Sequence, residues 1–182
     1  LICFRKSYLF ASYITLNISS PNTKNLRKLQ GSENLKNLLK KIKAEQNILN
    51  KKYNKYVPFL IKISPDNTKS QLTSICKLLI QYKIDGVIAT NTTLSRNEVP
   101  LSTKRNESGG LSGLPLKLSS LNTQKFLKLK LDGKIPIIGV GGVMSAEDGK
   151  EKMDNGADLI QIYSGLIFKG HGLIHELCRA IK

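Results

Sequence analysis

Five short apolar runs that alternate with helical patterns constrain the fold of this chain more than any other feature. No two runs are separated by only the few residues of a hairpin turn, so the strands are predicted to be parallel and joined by right-handed crossovers. The runs are almost continuously apolar, as in a sheet covered on both faces. The sequence therefore predicts a single α/β domain. The predicted strands are residues 13–18, 58–63, 84–89, 135–140 and 159–163.

Apolar residues three and four positions apart predict helices between these runs. Residues 1–12 are interpreted as the end of an amphipathic helix, and a long helix is predicted from about Ser32. Ser145, followed by Asp148, resembles a capping box that starts another helix. The four apolar stripes are Leu35, Leu38, Leu39, Ile42 and Leu49; Leu72, Ile75, Cys76 and Leu79; Leu118, Leu121 and Phe126; and Ile174, Leu177, Cys178 and Ile181.

The chain is strongly basic, with 29 Lys+Arg against 13 Asp+Glu and a net charge of +16. Such a charge could serve a nucleic-acid or anionic membrane surface. However, the excess is mostly lysine spread along the chain, and its densest part lies on one helical pattern, which is typical of a solvated face. Aromatic residues, on which bases would stack, make up only 6%. We therefore expect no nucleic-acid partner and keep a basic nucleic-acid-binding module as an alternative.

The cysteines and the apolar segments indicate the cellular compartment of the chain. Cys3, Cys76 and Cys178 are odd in number and far apart, which fits a reducing cytosol better than a disulfide framework. No apolar run approaches the roughly 18 residues of a membrane span, and no cleavage pattern of a signal peptide is present. His171 and His175 lie one helical turn apart but have no convincing third ligand, so we expect no metal site.

Polar residues follow the carboxyl end of every predicted strand, where parallel α/β folds bind their ligands. Lys62 lies inside an apolar strand and must face a barrel interior or a ligand, because an unpaired buried ammonium is costly. Asparagine amides donate and accept together, which suits a planar heterocycle, although an asparagine after Pro21 could be turn chemistry alone. These residues are Asn17, Ser20, Asn22 and Thr23; Lys62; Thr90, Asn91 and Thr92; Gly141 and Gly142; and Tyr163 and Ser164.

The last two strand ends predict a phosphate site. Gly141 and Gly142 let the backbone approach an anion closely, and they pair with Tyr163 and Ser164 after the next strand. Barrels often build phosphate sites from their final two loops, although these glycines could also form no more than a tight turn. The motif is not a dinucleotide fingerprint, because its third glycine position is Met144, and no GK[ST] of a P-loop exists.

Several of these segments together resemble the dihydroorotate dehydrogenases. They are NISSPNT from Asn17, FLIKISPD around Lys62, IDGVIATNTT, SGGLSG, and IPIIGVGG followed by IQIYS, and the resemblance extends from about Tyr13 to the C-terminus. Ser20 stands where the soluble class 1 enzymes have a cysteine base. This position resembles the membrane-associated, quinone-linked class 2 group.

The resemblance implies an oxidoreductase that converts dihydroorotate to orotate in pyrimidine biosynthesis and passes electrons through FMN to a quinone. Ser20 would remove the C5 proton while the C6 hydride passes to FMN, Thr23 would orient Ser20, and Lys62 would stabilise the reduced flavin. The implied substrate-binding residues are Asn17, Asn22, Asn91 and Thr92. The implied cofactor-binding residues are Asn17, Lys62, Thr90, Ser112, Gly113, Gly141, Gly142, Tyr163 and Ser164.

The family's amino-terminal motifs, which include its quinone-binding and membrane-docking helices, do not occur in this sequence, which begins with Leu1 rather than Met. We expect residues 1–182 to be the C-terminal part of one FMN-binding (β/α)₈ TIM barrel and to supply about its last five βα units. Both outer strands would then have open, association-prone edges. The whole enzyme would lie peripherally on the cytoplasmic side of the inner membrane, and this part alone would not turn over. Another phosphate-binding barrel enzyme or a non-catalytic remnant are the alternatives.

Overall fold

The computed structural model describes residues 1–181 and contains one parallel sheet of five strands, paired in the order β1-β2-β3-β4-β5. Each strand pairs with the next one along the chain, which is the order of a barrel wall rather than of a doubly wound sheet. The α/β prediction is confirmed. The strands are β1 Ile14–Asn17, β2 Phe59–Ile63, β3 Gly86–Ala89, β4 Ile137–Val140 and β5 Leu159–Gln161.

Helices connect the strands on one side of the sheet, and two short 3₁₀ turns, Leu26–Gln30 and Leu114–Leu116, lie in the connections. The longest helix begins at Ser32, as predicted, and its buried side chains include most of the predicted stripe. The helices are α1 Ile2–Ser7, α2 Ser32–Tyr53, α3 Lys69–Gln81, α4 Lys117–Leu131, α5 Ala146–Asp154, α6 Ser164–Lys169 and α7 Gly172–Ala180.

Two helix predictions are corrected by the structure. The first helix ends at Ser7 instead of reaching residue 12. The predicted last helix is confirmed as α7, and the separate α6 before it, which ends where Gly170 adopts φ +65°, was not predicted. In α4, Leu118 is 59% exposed, so this member of the predicted stripe is wrong, and Leu127 is buried instead. Leu121 is buried as predicted and Phe126 packs against the main core, so only the first member of this stripe was misplaced.

Two helix starts are capped differently from the sequence prediction. Ser145 accepts the Asp148 N–H at 3.3 Å, but the Asp148 carboxylate accepts from Met144 N–H, so only half of the predicted box forms. The complete box lies at the start of α3, where Thr68 and Gln71 each accept the other's backbone N–H. Both arrangements satisfy N–H groups that the first helical turn leaves without partners.

Four of the five strands begin one or two residues later than predicted, and β5 begins at Leu159 as predicted. At the starts of β2 and β4 a carboxylate accepts the first N–H in place of a ladder bond. Asp85, directly before β3, accepts the Phe59 N–H at 2.9 Å, and Asp158, directly before β5, accepts the Ile137 N–H at 2.7 Å. These bonds connect neighbouring strands at the edge opposite to the polar strand ends. The amino edge of the sheet is therefore closed by side chains, and the carboxyl edge is left for other chemistry.

The two faces of the sheet differ in what covers them. Phe59, Ile61 and Ile63 point to the helices and are fully buried in the main core, so we call this side the helix face. The alternate residues Leu60 and Lys62 point to the other side, the inner face, where the apolar cluster is small. The inner face is the side that would line the interior of a barrel. The small inner cluster consists of Leu60, Ile88 and Val140 with Ile138 packed against it.

Candidate active site

A cavity of about 220 Å³ lies at the carboxyl ends of β2 to β5, beside the inner face. Ten residues predicted from the sequence contribute to its wall, which shows that the strand-end loops converge as expected for a parallel sheet. Their individual roles stay predictions. The predicted residues in the wall are Lys62, Thr90, Asn91, Thr92, Ser112, Gly113, Gly141, Gly142, Tyr163 and Ser164.

Lys62 extends from β2 along the inner face into this cavity. Its Nζ donates to Oε1 of Gln161 at 3.2 Å, and Gln161 stands at the end of β5. Burial lowers the pKa of Lys62 from its ordinary value, since the charged form loses water. An ammonium with one protein partner is left with two free N–H donors, and both can serve a ligand.

The loop after β3 brings three polar side chains to the cavity. The peptide bond between Ala89 and Thr90 is cis, and the Thr90 hydroxyl is buried without a hydrogen-bond partner in residues 1–181. Asn91 donates to Oδ1 of Asn17 at 3.0 Å, which ties the end of β1 to the site. Its own Oδ1 accepts the Thr92 N–H at 2.8 Å, so the orientation of the Asn91 amide is determined at both ends.

Ser19 is a structural member of the site that sequence reasoning missed. It is fully buried, donates to the Lys62 carbonyl at 2.7 Å and accepts from the Asn91 amide at 3.1 Å. The adjacent Ser20, the predicted base, is only half-buried, and its Oγ accepts the Asn22 N–H at 3.3 Å. Thr23 is exposed, and within residues 1–181 no hydrogen bond joins it to Ser20.

The glycine-rich loop at 107–113 packs over the end of β1. A Cβ added to Gly110 would lie 1.8 Å from Oγ1 of Thr92 and 2.9 Å from Pro21, so only glycine allows this approach. One Cβ placed on Gly109 would lie 3.3 Å from Oδ1 of Asn22. Asn22 thus lies beside this loop, although it does not contribute to the cavity wall.

Gly141 and Gly142 follow β4 with φ values of +109° and +76°, which favour glycine. A Cβ on Gly142 would lie 2.3 Å from Cα of Lys117, so the turn is pressed against the start of α4. On the other side, Ser164 donates to Ser112 Oγ at 3.0 Å. Successive backbone N–H groups in such a turn form a concave anion site, which supports the predicted phosphate position.

Gln161 is the second residue that sequence reasoning missed. The sequence does mark Gln161, because it is a polar residue within an apolar strand, as Lys62 is. The register pairs Gln161 with Val140, an inner-face residue, and therefore directs its side chain into the cavity. In residues 1–181 no group of three or more His, Cys, Asp or Glu side chains that could hold a metal ion is found.

A parallel β/α sheet with glycine-rich turns after β4 and a lysine on its inner face is typical of the barrel proteins that bind phosphorylated ligands at their strand ends. The chain belongs to the dihydroorotate dehydrogenase family, whose family model matches residues 1–182. This family is flavin-dependent in general. Membership disfavours the alternative of an unrelated phosphate-binding barrel.

Relatives of known name agree with this assignment. The chain is 54% identical over 180 residues to dihydroorotate dehydrogenase (quinone) of Wigglesworthia glossinidia brevipalpis, covering 99% of the chain and 53% of the relative. It is 49% identical over 182 residues to the protein of that name from Haemophilus influenzae strain PittEE, covering 100% of the chain and 54% of the relative. The chain thus spans about half the length of the curated relatives it matches.

A solved structure supports the fold independently. The crystal structure of Eimeria tenella DHODH in complex with ferulenol superimposes with a TM-score of 0.93 at 28% identity and covers 99% of this chain and 51% of that one. The five-stranded parallel sheet is accordingly consistent with part of a TIM barrel. Within residues 1–181, no helix is both long enough and apolar enough to cross a bilayer.

Proposed function

We propose that the protein to which this chain belongs is a quinone-dependent dihydroorotate dehydrogenase that oxidises dihydroorotate to orotate in pyrimidine biosynthesis. The observation that carries the proposal is the convergence of an inner-face lysine, an unpartnered threonine hydroxyl and a glycine cradle on one cavity. Relatives named for this activity share about half of the chain's residues, which supports the same assignment.

The cofactor we propose is FMN, and three features of the cavity fit it. The orphaned hydroxyl of Thr90 is costly to bury unless a ligand satisfies it. Gly141 and Gly142 line the cavity, and a Cβ on either would collide with the start of α4, so only glycine allows this turn to present its backbone to a ligand. The cavity of about 220 Å³ is smaller than the roughly 300–1,000 Å³ of complete ligand sites, which supports a barrel completed by further strands.

In this arrangement the backbone of Gly142, Tyr163 and Ser164 would hold the phosphate of FMN. Thr90 and Gly113 would line the ring system together with Ser112 and Asn17. Lys62 would donate a hydrogen bond to the ring, because its ammonium is held on the inner face by Gln161 at 3.2 Å. When bound, FMN supplies the chemistry of accepting a hydride from the substrate.

Substrate recognition would fall to the polar residues that follow β1 and β3. Asn17 and Asn91 are already joined at 3.0 Å, so their amides are oriented before a ligand arrives. Asn22 and Thr92 would complete the contacts to the pyrimidine ring. Ser20 would remove the proton at C5 of dihydroorotate.

The electron acceptor we propose is a quinone, because the relatives are named dihydroorotate dehydrogenase (quinone). We also propose that the protein lies peripherally on the cytoplasmic side of the inner membrane. Membrane contact would then be made by a region outside this chain. Strands outside this chain would likewise close the sheet into an eightfold barrel, in which residues 1–182 form the C-terminal part.

The proposed reaction is tested by mixing the FMN-loaded protein anaerobically with dihydroorotate and following the visible flavin absorbance. The absorbance should bleach and return when quinone is added. Ser20→Ala should bleach at least about 10²-fold more slowly, as expected for loss of a general base. Ser102→Ala, in the exposed loop before the glycine-rich segment, is the matched control and should bleach at the original rate. A flavin that stays oxidised with dihydroorotate would contradict the proposal.

A further inference from the structure

Lys152 is a buried lysine that neither the sequence prediction nor the proposed chemistry uses. It lies on α5, is 2% exposed and does not contribute to the cavity wall. A lysine ammonium in such a place costs free energy unless it is hydrogen-bonded or serves a charge. Its position close behind the glycine cradle makes it the strongest candidate for an additional role in the site.

A chain of two hydrogen bonds connects Lys152 to the cradle. Its Nζ donates to Oγ of Ser120 on α4 at 2.8 Å. Ser120 is itself fully buried, and its hydroxyl donates to the Gly141 carbonyl at 2.9 Å. The Gly141 carbonyl oxygen and the Gly142 N–H belong to one peptide unit, so the ammonium is linked to a candidate phosphate donor.

The Gly142 N–H is the last group in this series of hydrogen bonds and has no partner of its own in residues 1–181. Among the hydrogen bonds of residues 1–181 none is donated by this group, and Gly142 lines the cavity. A donor bound to a peptide oxygen polarises that peptide and strengthens its N–H as a donor, and consecutive hydrogen bonds reinforce one another. The buried charge of Lys152 would therefore act on an anion that it does not touch.

Other charges near Lys152 are engaged elsewhere. The charged groups that face it are Lys117 on α4 and Asp148 and Glu151 on α5. Lys117 Nζ pairs with Asp148 at 2.5 Å and with Glu151 at 3.0 Å, so both carboxylates already share one ammonium as their ion-pair partner. Lys152 forms no ion pair in residues 1–181, which leaves its charge to its one side-chain partner, Ser120.

We propose that Lys152 is a positioning residue for the phosphate of the ligand, acting through Ser120 on the Gly141–Gly142 peptide. The inference rests on the proposed phosphate site but not on the identity of the substrate that is oxidised. It assigns an electrostatic role to a residue behind the cradle, beyond the residues whose backbone would touch the phosphate.

A purely structural role for Lys152 makes a different prediction. Its stem packs beneath β4, since a Cβ on Gly139 would lie 3.1 Å from Cδ of Lys152. Replacing the lysine with methionine keeps most of this stem and removes the charge. If packing were its only role, the variant would change the affinities for phosphorylated and unphosphorylated ligands equally.

The test compares three probes, FMN, riboflavin and inorganic phosphate, by flavin fluorescence quenching and calorimetry at neutral pH. Lys152→Met should weaken FMN and phosphate binding about tenfold or more, as loss of a charge-assisted hydrogen bond would. Riboflavin, which lacks the phosphate, should bind within about twofold of the original affinity. Lys150→Met, an exposed neighbour on the same helix, is the charge-matched control and should change none of the three.

A pH series gives a second readout on the unsubstituted protein. Burial lowers the pKa of Lys152 to about 8, so its charge disappears between neutral pH and pH 9 or so. FMN affinity should fall over this range in the original protein and stay level in Lys152→Met, because a phosphate monoester with a second pKa of about 6 is already ionised there. Lys117 and Asp148 do not titrate there, because their ion pair raises the pKa of Lys117 and the Lys117 and backbone hydrogen bonds lower that of Asp148.

If Lys152→Met fails to fold, Ser120→Ala serves as the second variant, because it removes only one oxygen. It should likewise weaken FMN binding more than riboflavin binding. An unchanged ratio of FMN to riboflavin affinity in the folded variant would overturn the inference, as would absence of phosphate and FMN binding in the original protein. Flavin that binds as described but is not bleached by dihydroorotate would instead refute the proposed function and leave this inference standing.

Discussion

The two faces of the five-stranded sheet are built from the same strands yet serve different ends. On the helix face, Phe59, Ile61 and Ile63 are fully buried within one large core. On the inner face, Leu159 is 62% exposed, and the half-buried Lys62 and Gln161 stand beside a small apolar cluster. The stability of the chain therefore resides mainly on one face, and the candidate ligand site lies on the other.

This separation explains how polar and charged groups are tolerated in the sheet. Burial of apolar surface on the helix face stabilises the fold by about 25 cal/mol per Å². This stabilising free energy does not depend on which residues occupy the inner face. The inner face can then carry an ammonium, amides and an unpartnered hydroxyl at a cost in stability. Changing matched residues on the two faces should show unequal effects on folding and binding.

The largest contrast should come from adjacent isoleucines in β4. Ile137 is 2% exposed in the main core, whereas Ile138 is half-buried at the inner cluster. Ile137→Ala should lower the free energy of unfolding by about 2–5 kcal/mol, and Ile138→Ala by roughly 1 kcal/mol, measured by urea denaturation. Equal losses would show that the inner face contributes as much stability as the helix face.

Two glycines with similar φ angles allow the cost of backbone strain to be distinguished from a loss of ligand binding. Gly142 has φ +76°, and its added Cβ would meet the Lys117 backbone; Gly133 has φ +70°, and its added Cβ would meet nothing within 4 Å. Gly133→Ala should cost about 1 kcal/mol of stability and leave FMN affinity intact. Gly142→Ala should cost about 1–3 kcal/mol and abolish detectable FMN binding. If Gly142→Ala still bound FMN, the assignment of the Gly141–Gly142 turn to the FMN site would be contradicted.

Removing the inner-face charge should have a smaller effect on folding. Lys62→Met should unfold at the same urea concentration as the original chain or a higher one, because a desolvated ammonium is eliminated, while flavin reduction is impaired. The folded pKa of Lys62 lies below the ordinary 10.5, so just below that pH the unfolded chain holds more of this proton. The stability of the original chain relative to the variant should therefore rise as pH increases through this window. A falling difference would contradict the burial of Lys62.

The smallest effect is expected at the open edge of the inner face. Leu159→Lys should change the free energy of unfolding by less than about 0.5 kcal/mol, because the side chain is already largely exposed. A charge on an unpaired edge strand should also reduce self-association, measurable by sedimentation. Loss of folding in this variant would mean that another part of the chain covers β5.

The general fold follows from sequence because it depends on local periodicity. Strand and helix alternation, and the stripe of Leu72, Ile75, Cys76 and Leu79, are confirmed since all four residues are buried on one face of α3. Strand starts were less accurate. The Asp85 carboxylate replaces a ladder bond there, and such a contact between distant residues leaves no local pattern.

The candidate site was predictable where a residue conflicts with its surroundings. Lys62 stood out in an apolar strand, and Gln161 carried the same signal but required the register to show which face it takes. The sequence cannot tell which of the two adjacent serines is buried, and Ser19 rather than Ser20 proves to be the one that joins β2 and β3. Lys152 and Ser120 are 32 positions apart, and only helix packing brings them together.

Amide chemical-shift changes on adding FMN would show which face of the sheet binds. We predict changes at the amides after β3, β4 and β5, which include Asn91, Gly142 and Ser164, and none at the helix-face residues of α2 and α3. Adding riboflavin should leave the Gly142 amide unshifted. Changes confined to α2 and α3, or shifts at Gly142 that riboflavin reproduces, would contradict the assignment of ligand binding to the inner face and of phosphate to the glycine cradle.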